Sequence, residues 1–107
     1  MMYGPVSVSI EEVNTIVLSL DQNFPNPFNP NTTISFTLPA TSSVRLSVYD
    51  PEGKLVIVLV DDVLPQGFNE ATWDSRDARG NPVSSGVYFY RLTAGNRTLT
   101  KKMVLLK

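Results

Sequence analysis

"VRLSVYDPEGKLVIVLV", residues 44–60, decides the fold class. Val44, Leu46 and Val48 alternate with more polar neighbours at the period of two that marks a half-buried strand. In "DPEG", Pro51 pre-sets φ for the second position of a type I turn, and Gly53 can take the left-handed conformation that closes a short hairpin loop. Residues 54–60 are then apolar on both faces, β-branched and too few for a helix, which suits a strand covered on each side or one whose outer face meets a partner.

The same alternation recurs in both directions. Val6, Val8 and Ile10 form one set, Ile16, Leu18 and Leu20 a second, and Ile34, Phe36 and Leu38 a third. Beyond the breaker "LPQG", Ala71 and Trp73 share one face of a strand while Phe68, Glu70 and Thr72 share the other, so Trp73 is the expected core anchor. Residues 74–86 are rich in glycine and short polar side chains and read as a loop; residues 87–107 read as a hairpin turning at "AGN". Short strands at this spacing predict an all-β fold, an Ig-like antiparallel β-sandwich of about seven strands. The immunoglobulin cysteine pair is missing, so Trp73, Phe36, Tyr88 and the aliphatic faces must carry the core.

A chain of 107 residues fits one domain that buries roughly 65% of its unfolded surface. With a formal charge of −1 it offers no field for nucleic acid or anionic lipid. It has neither histidine nor cysteine, which removes Cys/His zinc sites, histidine-dependent triads and thiol chemistry. No apolar run reaches the length of about 18 residues that a membrane helix needs. Residues 1–15 lack a basic segment followed by an apolar one, so export would require a signal peptide from a longer chain.

The densest charges lie in "WDSRDARG", where Asp74, Arg76, Asp77 and Arg79 fit turn-capping better than paired-carboxylate catalysis or a calcium site. Tyr49, Phe68, Phe89 and Tyr90 are read as outward-facing aromatics that would form a sugar platform or, more ordinarily, cover a sheet. No metal, cofactor or small-molecule substrate is expected. "TKKMVLLK", residues 100–107, is an apolar terminal strand flanked by Lys101, Lys102 and Lys107. A strand of this kind at a sheet edge invites pairing with another chain, and the lysines guard it.

"NFPNPFNPNTT", residues 23–33, cannot pair along its length as a strand, because each proline lacks a backbone donor and restricts the residue before it. It predicts a stiff strap built from Phe24, Pro25, Asn26, Pro27, Phe28, Asn29 and Pro30, with both phenylalanines pinned to the sandwich. Four blocks in order, "LDQNFPNPFNPNTTISFTLP", "VRLSVYDPEGKLVIVLVD", "GFNEATWDSRDARGNPVSSGVYFYRLTAG" and "TKKMVLLK", resemble the type A C-terminal sorting domain of the type IX secretion system. The middle of the chain is also similar to the Ig-like domain of flagellar hook-capping proteins.

The sorting resemblance implies a non-catalytic address at the end of a secreted protein from Bacteroidetes-type bacteria. Its partners would be the type IX translocon, its shuttle barrel and a cell-surface sortase, with periplasmic transit to the outer membrane and cell surface. By motif, Gly86, Val87 and Tyr88 correspond to the penultimate block, and Lys102, Met103, Val104, Leu105, Leu106 and Lys107 to the terminal signal. Recognition is therefore assigned to the far end of the chain from the strap. Residues 1–19 read as a linker or the end of a preceding cargo module, and residues 20–107 as the sorting domain. The alternation from Val6 to Leu20 leaves open an extracellular fibre assembled by strand exchange, a homo-oligomer through edge strands, or a hook-capping-like assembly module.

Overall fold

Asp50 builds the turn that its neighbours call for. Its carboxylate Oδ1 accepts hydrogen bonds from the Glu52 and Lys54 amides, both at 2.9 Å. The Gly53 amide donates to the Asp50 carbonyl at 3.0 Å with Gly53 at φ 88°, a conformation that costs a glycine little. This loop joins β3 (Ser42–Tyr49) to β4 (Leu55–Leu64). "DARGN" repeats the device: Asp77 Oδ1 accepts from Arg79 and Asn81, both at 3.0 Å, and Gly80 donates back to the Asp77 carbonyl at 2.9 Å.

In the computed structural model, which describes residues 16–107, five further strands complete the domain: β1 (Ser19–Leu20), β2 (Thr32–Leu38), β5 (Gly67–Trp73), β6 (Gly86–Ala94) and β7 (Arg97–Leu105). They form two antiparallel sheets, a three-stranded one in the order β1-β2-β5 and a four-stranded one in the order β4-β3-β6-β7. Alternate residues point into the space between the sheets. Ile34, Phe36 and Leu38 enter from β2, Val44, Leu46 and Val48 from β3, Tyr88, Tyr90 and Leu92 from β6, and Met103 and Leu105 from β7. Trp73, Phe36 and Tyr88 are all buried in this core, in the Ig-like sandwich that the strand pattern predicts.

Two elements depart from expectation. The alternation at Ile16, Leu18 and Leu20 yields only the two paired residues of β1; Leu18 and Leu20 are buried, and the chain then stays on β2 only through the Asp21 amide and a bridge between Phe24 and Thr33. The apolar run of β4 forms an outer strand of the four-stranded sheet, none of whose residues is fully buried. It continues through Asp61 and Asp62 to Leu64, and its register with β3 slips after Leu46 and again after Val48. Such bulges and charges blunt an edge against indiscriminate pairing. The set at Val6, Val8 and Ile10, and with it the strand-exchange reading, lies outside the described residues.

Candidate recognition site

The strap starts from a buried polar knot. Tyr90, wholly buried on the inner face of β6, donates its hydroxyl to the Asp21 carbonyl at 2.7 Å and accepts from the Asn23 amide at 2.9 Å. Burial pushes its pKa up to about 12; the Asn23 bond works against that rise, and the Asp21 charge adds to it. The outward position expected for Tyr90 is thus corrected. Period two puts Tyr90 on the same face as Tyr88 and Leu92, and the hydroxyl is tolerated inside because two backbone groups satisfy it.

Asn23 and Thr32, both buried, close the strap on itself. Asn23 Nδ2 donates to Thr32 Oγ1 at 2.9 Å and to the Pro25 carbonyl at 3.1 Å, and Thr32 Oγ1 donates to that same carbonyl at 2.9 Å. The two phenylalanines then part company. Phe28 is 2% exposed and packs against Trp73, ring centroids 5.8 Å apart, which in turn meets Tyr88 edge-on at 5.4 Å. Phe24 is 79% exposed. The expectation that both rings dock is therefore corrected: Phe24 exchanges backbone bonds with Thr33 of β2, a pairing that turns its side chain outward.

The strap also reaches the other sheet, where residues 22–28 lie along the outer edge of β7. Gln22 Nε2 donates to the Lys102 carbonyl at 2.7 Å, and the Val104 amide donates to Asn26 Oδ1 at 3.0 Å. The Phe28 amide donates to the Val104 carbonyl and the Leu106 amide to the Phe28 carbonyl, both at 3.0 Å, in a parallel bridge between Phe28 and Leu105. Ser75, itself buried, adds a hydroxyl bond to the Pro30 carbonyl. β7 is an outer strand, as read from its sequence, but the strap already occupies the edge of its C-terminal half.

On its other side β7 pairs with the penultimate block: Gly86 opposes Leu105, Val87 opposes Val104, and Tyr88 opposes Met103. Gly86 sits at φ 153°, where L side chains are strained. Tyr88 donates its hydroxyl to the Ser84 carbonyl at 2.6 Å. Lys107 folds back on the same loop, its amide donating to Ser85 Oγ at 2.9 Å and its ammonium to the Val83 carbonyl.

The strap, the Gly86 block and the terminal block therefore meet in one patch, so the strap is not remote in space from the end of the chain to which the sequence motifs point. Within it, Phe28, Tyr88, Met103 and Leu105 are buried, whereas Phe24, Pro25, Asn26, Pro27, Lys102, Leu106 and Lys107 face solvent. Sequence reasoning missed Gln22, Thr32 and Ser75, which carry no motif of their own; Gln22 and Ser75 find their partners 80 and 45 residues away.

The charged cluster at residues 74–79 is spent on turns. Asp74 Oδ1 accepts from the Arg76 amide at 3.2 Å, Asp77 caps its own loop, and Arg76 Nη1 donates to the Gly80 carbonyl at 2.8 Å. The Arg76–Asp74 ion pair, 3.9 Å long and exposed, adds little to stability. Among the described residues no acidic cluster is arranged to hold a metal ion.

No curated protein matches the sequence. Among solved structures, the chain is similar to PorZ of Porphyromonas gingivalis, described as an essential bacterial surface component of the type IX secretion system, with 22% identity and a TM-score of 0.58 over 84% of this chain and 11% of that one. It is also similar to dimeric latent PorU of the same organism, with 22% identity and a TM-score of 0.67 over 85% of this chain and 10% of that one. The chain thus spans about a tenth of either protein, and at this identity the likeness is one of fold. The sequence family described as a secretion system C-terminal sorting domain matches residues 22–106, which run from the first strap contact on β7 to the last. The chain belongs to that family of sorting domains, which is not a family of enzymes.

Proposed function

We propose that this domain is the address of a secreted protein, directing the cargo ahead of it through the type IX outer-membrane machinery to the cell surface. The family match over residues 22–106 carries this reading. The convergence of the strap, Gly86, Val87 and Tyr88, and residues 102–107 into one patch further supports recognition of a folded surface rather than of a loose tail. Its readers are then the translocon and the shuttle barrel, and a surface sortase removes the domain when the cargo is anchored. Residues 1–19 would serve as the junction with that cargo.

A signal peptide and fluorescent reporter fused ahead of the full chain should reach the surface of a type IX-competent host; retention in the periplasm would sink the sorting role. The terminal block is best tested without unfolding the domain, because Met103 and Leu105 belong to the core. Lys102→Glu combined with Leu106→Ser alters exposed side chains only and should lower delivery severalfold at an unchanged melting temperature. Full delivery of that variant would remove the block from the recognised surface.

A further inference from the structure

Phe24 is the most exposed large apolar side chain among the described residues, and the fold holds it out instead of merely leaving it out. Its amide donates to the Thr33 carbonyl and its carbonyl accepts from the Thr33 amide, both at 2.9 Å. The next carbonyl, that of Pro25, is held by Asn23 and Thr32. Proline at that position fixes φ, so the backbone on either side of the ring has little freedom. An aromatic side chain presented on a rigid frame loses little entropy when it enters a pocket, and such anchors dominate protein interfaces.

The surroundings narrow the partner. No charged residue occurs between Asp21 and Arg45, so the strap and Thr33, which pairs with Phe24, are uncharged; charge begins beside Ser35, flanked in the sheet by Asp21 and by Glu70 of β5. Pro25 and Pro27 beside it are exposed. Depletion of charge around an aromatic is the composition of an interface core.

Resting on the sorting reading above, we infer that Phe24, flanked by Pro25 and Pro27, is the anchor of the recognition surface. It inserts into an uncharged apolar pocket on the receptor protein that admits sorting domains at the outer membrane. Phe28, four residues on, roots the strap in the core, and Phe24 projects from it.

The test uses the full chain fused behind a signal peptide and reporter in a type IX-competent host, comparing wild type, Phe24→Ser, Phe24→Trp and, as a control, Phe68→Ser, which removes an aromatic 65% exposed on β5. Phe24→Ser should cut surface delivery roughly tenfold or more, with a melting temperature matching wild type. Phe24→Trp should retain delivery, and Phe68→Ser should leave it unchanged. Wild-type delivery of Phe24→Ser overturns the anchor while leaving the sorting role standing. Equal loss in Phe68→Ser also overturns it, by showing that any exposed ring serves. Failure of the wild-type fusion to reach the surface overturns the sorting role itself.

Discussion

At the scale of single residues, the outcome turns on which way a ring faces. Phe24 stands between Asn23 and Pro25, and Phe28 between Pro27 and Asn29, so both rings are flanked by one proline and one asparagine, yet one is solvent-facing and the other is core. Phe28→Ala should cost about 3–5 kcal/mol in urea denaturation, and Phe24→Ala no more than about 0.5 kcal/mol; equal costs would contradict their placement. Tyr90→Phe keeps the ring but leaves the Asn23 amide and the Asp21 carbonyl without their partner, a loss of about 1–3 kcal/mol. Because the folded pKa of Tyr90, about 12, lies above the ordinary value of 10.0, the native state keeps a proton that the unfolded chain releases. Its contribution is therefore complete below pH 10 and lost as pH rises toward 12. Stability curves of wild type and Tyr90→Phe should converge across that window, and parallel curves would show that the hydroxyl is not buried as described. The docking of Phe28 was legible in the sequence, but the exposure of Phe24 and the burial of Tyr90 were not: the parity of Tyr90 follows from Leu92 and Ala94 only once β6 is known to run unbroken to the turn, and its partners lie 67 and 69 residues away.

At the scale of elements, the strap behaves as a substitute strand that covers half an edge. Residues 102, 104 and 106 turn their backbone groups away from β6, and the strap meets them at Lys102, Val104 and Leu106. Amide hydrogen exchange should therefore be slow at Val104 and Leu106 and fast at Thr100, which points the same way nearer the hairpin tip, beyond the strap. Uniformly fast exchange along these positions would mean that the strap does not stay docked. The proline count made it clear that residues 23–30 could not form a regular strand. Where such a strap would lie was not legible, since a contact with β7 depends on how the two sheets close on each other. By contrast, the loops at Asp50 and Asp77 could be read directly, because a carboxylate, two local amides and a glycine make the turn within five residues.

At the scale of the molecule, fold and address share the same residues. Deleting residues 102–107 removes Met103 and Leu105, each fully buried, and each worth about 2–5 kcal/mol on truncation. Against a domain stability of about 5–15 kcal/mol, that loss, with the strap's partners gone as well, should abolish cooperative thermal unfolding followed by circular dichroism. A deletion that melted normally would show that the terminal block is peripheral to the sandwich. The all-β class and the strand count were legible because alternation repeats between strong turn signals. The convergence of three motifs was not, because it arises from long-range pairing between strands that the sequence shows only one at a time.

The Tyr90 clamp has a mechanical side. It grips Asp21 and Asn23, just ahead of Phe24, and it is rooted in β6, an inner strand of the four-stranded sheet. Tension applied from the N-terminal side would load the Leu20 pairing with β2 and that clamp before it reached the Asn26 and Phe28 contacts on β7. Like a cleat ahead of a knot, the tyrosine would then hold residues 26–28 in place on β7 if the chain ahead of Asp21 were pulled.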